Sequence, residues 1–160
     1  MRVGLGYDVH RLKRGNPLIL GGIEIPHRAG PEGHSDADVL THALIDALLG
    51  AMAWGDIGSW FPDTDSQFKN ADSIKLLEVV LNKLKSEQIK VNNVDATVVL
   101  QQPRLNSYLD DIRSNLSSVM KVEKNQISVK ATTSEKIGFI GREEGVAVYC
   151  VVALSPSDQH

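Results

Sequence analysis

The sequence predicts an α/β sandwich of the α+β kind: a mixed four-stranded sheet plus a small hairpin, with helices on one face. Three observations predict it. Apolar runs of strand length alternate along the chain with segments of helical period. Two apolar triplets flank Gly21-Gly22, which signals a two-residue hairpin. No repeat, low-complexity tract or linker divides the 160 residues, so one domain over 1–160 is expected.

In chain order, residues 3–9 read as a strand. Leu18-Ile19-Leu20 and Ile23-Glu24-Ile25 form the hairpin, and the mix of Pro, Gly and charge over 26–33 reads as loop. A helix follows from residue 36 or 38 to 54, stopped by Gly55, with Ser35-Asp36-Ala37-Asp38 resembling a capping box. Its core stripe is Val39, Ala43, Leu44, Ala47 and Leu48. Residues 56–70 form a polar loop long enough to suggest function. Ile74, Leu77, Leu81 and Leu84 mark a helix over 73–88, and Tyr108, Ile112, Leu116 and Val119 mark another. Residues 94–100, 127–132 and 146–154 complete the strands.

Composition narrows the partners. A net charge of −3 offers no basic field for nucleic acid or anionic lipid. No segment is apolar enough to span a bilayer and the start lacks signal-peptide architecture, so a cytoplasmic protein is expected. Cys150, the one cysteine, lies in an apolar run and reads as a small buried hydrophobe.

The chemistry gathers at Asp8, His10 and His42. Strand alternation points Asp8 and His10 the same way, and His42 lies on the first helix. One oxygen and two nitrogen ligands with an open fourth place is the pattern of catalytic zinc. The spacing alone is weak as a motif and favours a polar pair at a strand end with an unrelated helix histidine. Asp46, one turn after His42, is of the right type to accept the other ring N–H of a zinc-bound histidine. Its alternative is a solvated acidic face.

Gly33-His34-Ser35 precedes a helix N-terminus, where free N–H groups favour an anion. Simple capping by Ser35 also fits. Asp56, Gly58, Asp63 and Asp65 suit either polyol recognition or Asx turns. Thr132, Thr133 and Glu135 offer hydroxyls for phosphate and one carboxylate for Mg²⁺, with Lys130 and Lys136 supplying charge. Gly138-Phe139-Ile140-Gly141-Arg142 follows as a shaped loop with a candidate anion partner.

Taken in order, GYDVH, GGIEIPH, HSDADVLTHALIDALLGA, GDIG, FPDTD and KATTSEKIGFIGR resemble the 2-C-methyl-D-erythritol 2,4-cyclodiphosphate synthases of the non-mevalonate isoprenoid pathway. The resemblance runs from Arg2 to about Leu154. It implies a homotrimer with sheets packed around the axis and active sites between subunits. It implies one zinc per subunit on Asp8, His10 and His42, and Mg²⁺ or Mn²⁺ on Glu135. His34, Ser35, Thr132 and Thr133 match phosphate positions. Asp56, Gly58 and Asp63 match the methylerythritol pocket, and Pro103, Arg104, Leu105 and Ala131 the cytosine pocket. Tyr7, Phe139 and Arg142 match an axial cavity proposed to take isoprenoid diphosphates. Glu143, Glu144 or a bound anion should balance Arg142 there, or Arg142 simply pairs with a glutamate across the interface. The chain departs from the family's common pattern at Leu5 (often histidine), Tyr7 (often phenylalanine), Arg104 (often lysine) and Ile140 (often threonine).

The reaction implied is intramolecular attack by the 2-phosphate of 4-diphosphocytidyl-2-C-methyl-D-erythritol 2-phosphate on the β-phosphorus, with loss of CMP. A zinc phosphohydrolase and a non-enzymatic, zinc-stabilised trimeric binding module are the rival readings. The first predicts open-chain products, the second binding without turnover.

Overall fold

The computed structural model describes residues 1–33, 35–62, 64–65 and 71–157. Its main sheet takes strands β1 (Arg2–Arg14), β4 (Ala29–Pro31), β5 (Ile89–Val99), β6 (Ile127–Thr132) and β7 (Gly145–Pro156) in the order β4-β1-β7-β5-β6. The β5–β6 pair is parallel and the other pairs are antiparallel, so the sheet is mixed. β2 (Leu18–Leu20) and β3 (Ile23–Ile25) form the separate hairpin about Gly21 and Gly22, both at positive φ. The long helices are α1 (Val39–Met52), α3 (Ser73–Ser86) and α4 (Leu109–Met120), and α2 (Ile57–Trp60) and α5 (Gly138–Gly141) are single turns.

The α+β layering matches the expectation, with two local additions. β1 continues past the apolar run through Arg11, Leu12, Lys13 and Arg14, where it pairs with β4 in the segment read as loop. Charged residues at an edge hid both from the hydrophobic pattern. The single turn α2 likewise lies inside the polar loop, closed by a reciprocal cap between Asp56 and Ser59.

Alternation along β1 sorts its residues by face. Gly4 and Gly6 are buried, whereas Val3, Leu5, Tyr7 and Val9 are exposed. The glycine face receives α1. A Cβ added at Gly4 would lie 2.0 Å from the Ala47 carbonyl oxygen, and one at Gly6 1.9 Å from that of Ala43. Small residues one helical turn apart on α1 therefore meet small residues two apart on β1 at backbone contact. Leu40, Leu44, Leu48 and Leu49 are fully buried, each contributing about 1.5–3 kcal/mol.

The start of α1 is fixed by Asp38 rather than by the expected Ser35 box. The buried Asp38 carboxylate accepts from Thr41 N (3.0 Å) and Thr41 Oγ1 (2.8 Å), and from Gly21 N (2.9 Å) and Gly22 N (2.7 Å) of the hairpin turn. Burial pushes its carboxyl above the usual range, against the pull of these donors. One side chain thus ties the hairpin to α1. Cys150 is buried, as expected, and burial pushes its thiol up to about 12, which leaves it inert.

Candidate active site

On the glycine face of β1 the next two inward positions are Asp8 and His10. The approach of α1 to Gly4 and Gly6 is what brings His42 over them. His10 Nε2 lies 2.9 Å and His42 Nδ1 3.2 Å from the same oxygen, Asp8 Oδ2. One ligand-type atom of each residue lies within 4.8 Å of the others. Among the described residues this is the one trio of such groups able to hold a metal ion.

The donor set fits a cation. Asp8 Oδ2 is buried yet receives no aligned hydrogen bond, although two ring nitrogens face it. His10 Nδ1 lies 2.8 Å from the Glu32 carbonyl, which can only accept, so Nδ1 carries the proton and Nε2 keeps its lone pair toward Asp8. Without a cation the three groups settle electrostatically. Burial pushes Asp8 up, but the His10 and His42 imidazoles outweigh it and hold the carboxyl below its ordinary value. Burial pushes His10 down, and the Asp8 carboxylate outweighs it and raises His10.

The trio borders a cavity of about 660 Å³ that Ser35, Gly58, Phe61 and Leu76 also line. Ser35 and Gly58 thus face the same space as Asp8. The Asp56 carboxylate caps α2 through Ser59 N at 2.8 Å, and that bond holds it below the usual carboxylate range. His34 and Asp63 lie outside the described residues.

Asp46 does not partner His42. Its Oδ1 accepts from Ile57 N at 3.1 Å, which fastens α2 to α1. His42 Nε2 is turned instead to the segment before α1 and the start of α3. There it meets Ser73 Oγ at 2.8 Å and Ser35 Oγ at 3.0 Å. Sequence reasoning missed Glu32, Ser73 and Asp36 around the histidines. Asp36 accepts from both the backbone N–H and the hydroxyl of Ser73. The opening Ser-x-x-Asp run was the one available hint of local polar bonding.

A second cavity, of about 280 Å³, is lined by Pro103, Arg104, Leu105, Ala131, Thr132 and Thr133 among others. Thr132 and Thr133, matched to phosphate, therefore meet the residues matched to cytosine, and among the described residues none lines both cavities. Glu135 and Lys136 follow at φ 54° and 62°, left-handed backbone that costs about 1 kcal/mol each for residues with a Cβ. Lys130 does not supply free charge here: its Nζ contacts both Asp95 oxygens at 2.6 Å across the β5–β6 pair. Tyr7 and Phe139 line a third hollow, on the outward side of β1. Arg142 is paired within the chain to Glu144, at 2.9 and 3.2 Å.

A family model for the YgbB family matches residues 1–155. The chain belongs to the YgbB family. Among its relatives, 2-C-methyl-D-erythritol 2,4-cyclodiphosphate synthase of Clostridioides difficile is 49% identical over 160 residues, covering 100% of this chain and 99% of that protein. The enzyme of the same name from Salinibacter ruber is 55% identical over 154 residues, covering 96% and 98%. A solved structure of a 2C-methyl-D-erythritol-2,4-cyclodiphosphate synthase in a CDP-bound form matches with a TM-score of 0.89 at 34% identity, covering 96% of this chain and 100% of that one. The bifunctional IspDF of Campylobacter jejuni matches with a TM-score of 0.94 at 43% identity, and this chain spans 42% of its length. Among its described residues this YgbB chain has no helix long and apolar enough to cross a membrane.

Proposed function

We propose that the chain converts 4-diphosphocytidyl-2-C-methyl-D-erythritol 2-phosphate to 2-C-methyl-D-erythritol 2,4-cyclodiphosphate and CMP. One observation carries the reading: in a chain half identical to named synthases, Asp8, His10 and His42 converge at the edge of a wide cavity. An oxygen of the 2-phosphate bonds to the β-phosphorus, and the bond from that phosphorus to the oxygen bridging it to the α-phosphorus breaks. The electron pair leaves with CMP. The attacking phosphate is already anionic near neutral pH, so no general base is required. Catalysis then rests on positioning and charge neutralisation.

Asp8, His10 and His42 would hold Zn²⁺ and Glu135 Mg²⁺ or Mn²⁺, which together supply Lewis acidity and neutralise phosphate charge when bound. The chain's own groups do the rest. Ser35, with His34, binds phosphate at the start of α1. Gly58 gives the methylerythritol backbone room, flanked by Asp56 and Asp63. Thr132 and Thr133 donate to the diphosphate, and the 280 Å³ cavity formed by Pro103, Arg104, Leu105 and Ala131 takes the cytosine.

The same reading makes the protein a cytoplasmic homotrimer. Support for the trimer comes from the outward face of the sheet, where Val3, Leu5, Tyr7, Val9, Tyr149 and Val151 stand exposed together. Cross-strand pairing sets Leu5 opposite Val151 and Tyr7 opposite Tyr149, ring centroids 4.9 Å apart. A contiguous apolar face of this kind marks an interface. Three copies would also bring one subunit's metal trio to a neighbour's nucleotide cavity, and would gather Tyr7, Phe139 and Arg142 for an isoprenoid diphosphate. An anion there would compete with Glu144 for Arg142.

Phosphorus NMR tests the reaction. Incubation with the diphosphocytidyl substrate, Zn²⁺ and Mg²⁺ should yield CMP and the cyclic diphosphate in equal amounts. Inorganic phosphate or open-chain products would make the protein a hydrolase, and tight binding without turnover a binding module. Either result overturns the reading.

A further inference from the structure

The reaction gives no task to two linked polar side chains beneath the cavity. Ser73, the first residue of α3, is fully buried, a costly place for a hydroxyl unless it is hydrogen-bonded. Its Oγ donates to Asp36 Oδ1, while Asp36 Oδ2 accepts from Ser73 N at 3.1 Å. Asp36 Oδ1 also accepts from Asp38 N at 3.2 Å, and Asp36 N donates to the Ala71 carbonyl at 3.2 Å. Asp36 therefore clamps the start of α3 against the start of α1. The Ser73 oxygen also faces His42 Nε2 at 2.8 Å.

Counting protons fixes the roles. A serine hydroxyl has one proton, and that of Ser73 goes to Asp36. Toward His42 its oxygen can only accept, so His42 Nε2 carries the ring proton. Nδ1, which faces Asp8 Oδ2 at 3.2 Å, then keeps a lone pair. A second consequence concerns Ser35. Its Oγ accepts from Ala37 N at 3.1 Å and lies 3.0 Å from the protonated Nε2. Nε2 has one proton, given to Ser73, and no lone pair left to accept from Ser35, so the Ser35 oxygen accepts from Ala37 N and its own proton turns to the cavity that it lines.

We infer that Ser73 and Asp36 are positioning residues of the metal centre. Through the sequence Asp36–Ser73–His42 they hold His42 in the tautomer that presents Nδ1 to a cation and free the Ser35 hydroxyl to donate to a ligand oxygen. His10 is set the same way in one step by the Glu32 carbonyl. His42 needs two steps because its outward nitrogen points at a side-chain oxygen that could otherwise donate. Outer partners of metal-bound histidines commonly set tautomer and ring orientation in this manner. The inference rests on the metal centre proposed above.

Zinc affinity, measured by competition with a chromophoric chelator, tests it without reference to turnover. Wild type, Ser73→Ala, Asp36→Asn and Asp46→Asn are compared, each first melted metal-free to establish that it is folded. Ser73→Ala and Asp36→Asn should weaken zinc binding about 10–100-fold. Asp46→Asn, whose carboxylate bonds Ile57, should leave it unchanged. In zinc-loaded wild type the His42 Nε2 proton should be visible in imidazole ¹H–¹⁵N spectra and protected from exchange, despite the open cavity. That measurement and Asp36→Asn decide the matter if Ser73→Ala does not fold. Wild-type affinity in both variants, or a freely exchanging Nε2 proton in wild type, overturns the inference alone. A wild type that takes up no zinc overturns the metal centre itself.

Discussion

The outward nitrogens of His10 and His42 are each met by an oxygen 2.8 Å away, the Glu32 carbonyl and the Ser73 hydroxyl, which belong to other elements. At residues 132–136 the contacts are of another kind. Thr132 Oγ1 reaches Thr133 O, Glu135 N reaches Thr133 Oγ1, and Lys136 N reaches the Gln101 side chain, all at 3.2 Å and all exposed. The first region is built before any ligand arrives, on a strand and a helix in backbone contact. The second holds two successive residues in left-handed backbone and leaves its side chains toward solvent. A metal needs fixed donors, whereas a nucleotide end can be gripped by groups that order on binding. The rigid half draws all three of its ligand-type groups from one strand and one helix of the same chain.

The largest effect should come from prying the rigid half apart. Gly6→Ala places a methyl group 1.9 Å from the Ala43 carbonyl oxygen and 2.7 Å from Ala47 N, both backbone atoms of α1. The helix must move, and His42 moves with it. A loss of more than about 4 kcal/mol is expected, or roughly 8–16 °C in melting temperature for a chain of this size. Zinc binding should fall in parallel. Gly50→Ala on the same helix meets nothing within 4 Å and should stabilise by up to about 1 kcal/mol. Calorimetric melting of the two variants checks the contrast, and equal melting temperatures would mean that the strand–helix contact does not fix the site.

These same contacts show what could be read from the sequence. Alternation exposed Asp8 and His10 as a pair, because period two is visible in seven residues. Helical period placed His42, and the order of motifs tied it to both. The hairpin at Gly21-Gly22 was legible because its turn chemistry is local. Ser73 was not. It lies 31 residues from His42, opens a helix like any serine, and nothing in its neighbourhood marks it as a hydrogen-bond acceptor. Asp46 was misplaced because helical offset gives the face but not the long-range partner, here the Ile57 N–H. β4 and the outer half of β1 were missed because charged edge strands carry no alternating apolar signal. Local periodicity, in short, reports which residues share a face, and long-range bonds decide what they do there.

An intermediate effect should come from joining the two halves across subunits. His42→Ala removes the rigid half's ligand, and Glu135→Lys reverses charge in the open half. Each variant alone should be nearly inactive. If each site is formed by one subunit's metal trio and a neighbour's nucleotide cavity, random assortment on mixing restores about a quarter of wild-type sites. Unfolding and refolding the variants together, with turnover followed against the unmixed proteins, measures this. No recovery, with trimers confirmed by light scattering, would place both halves of the site within a single chain.

The smallest effect is the most selective. Glu135→Gln keeps the shape of the side chain and removes its charge. Glu135 brings a single carboxylate, which suits an ion that takes one or two protein carboxylates and fills its other positions with water and phosphate oxygens. The Mg²⁺ concentration for half-maximal turnover should therefore rise on the order of tenfold, the 1.4 kcal/mol scale of one charged contact. Zinc content should not change, because Glu135 lies outside the Asp8, His10 and His42 trio. Metal analysis alongside a Mg²⁺ titration separates the two. An unaltered titration would show that the open half binds no divalent ion through Glu135, and a loss of zinc would show that the two halves are not independent. The exposed backbone at φ 54° gives a reason to expect the first effect without the second: the carboxylate is carried on a local turn whose bonds run to Thr133 and Ser134.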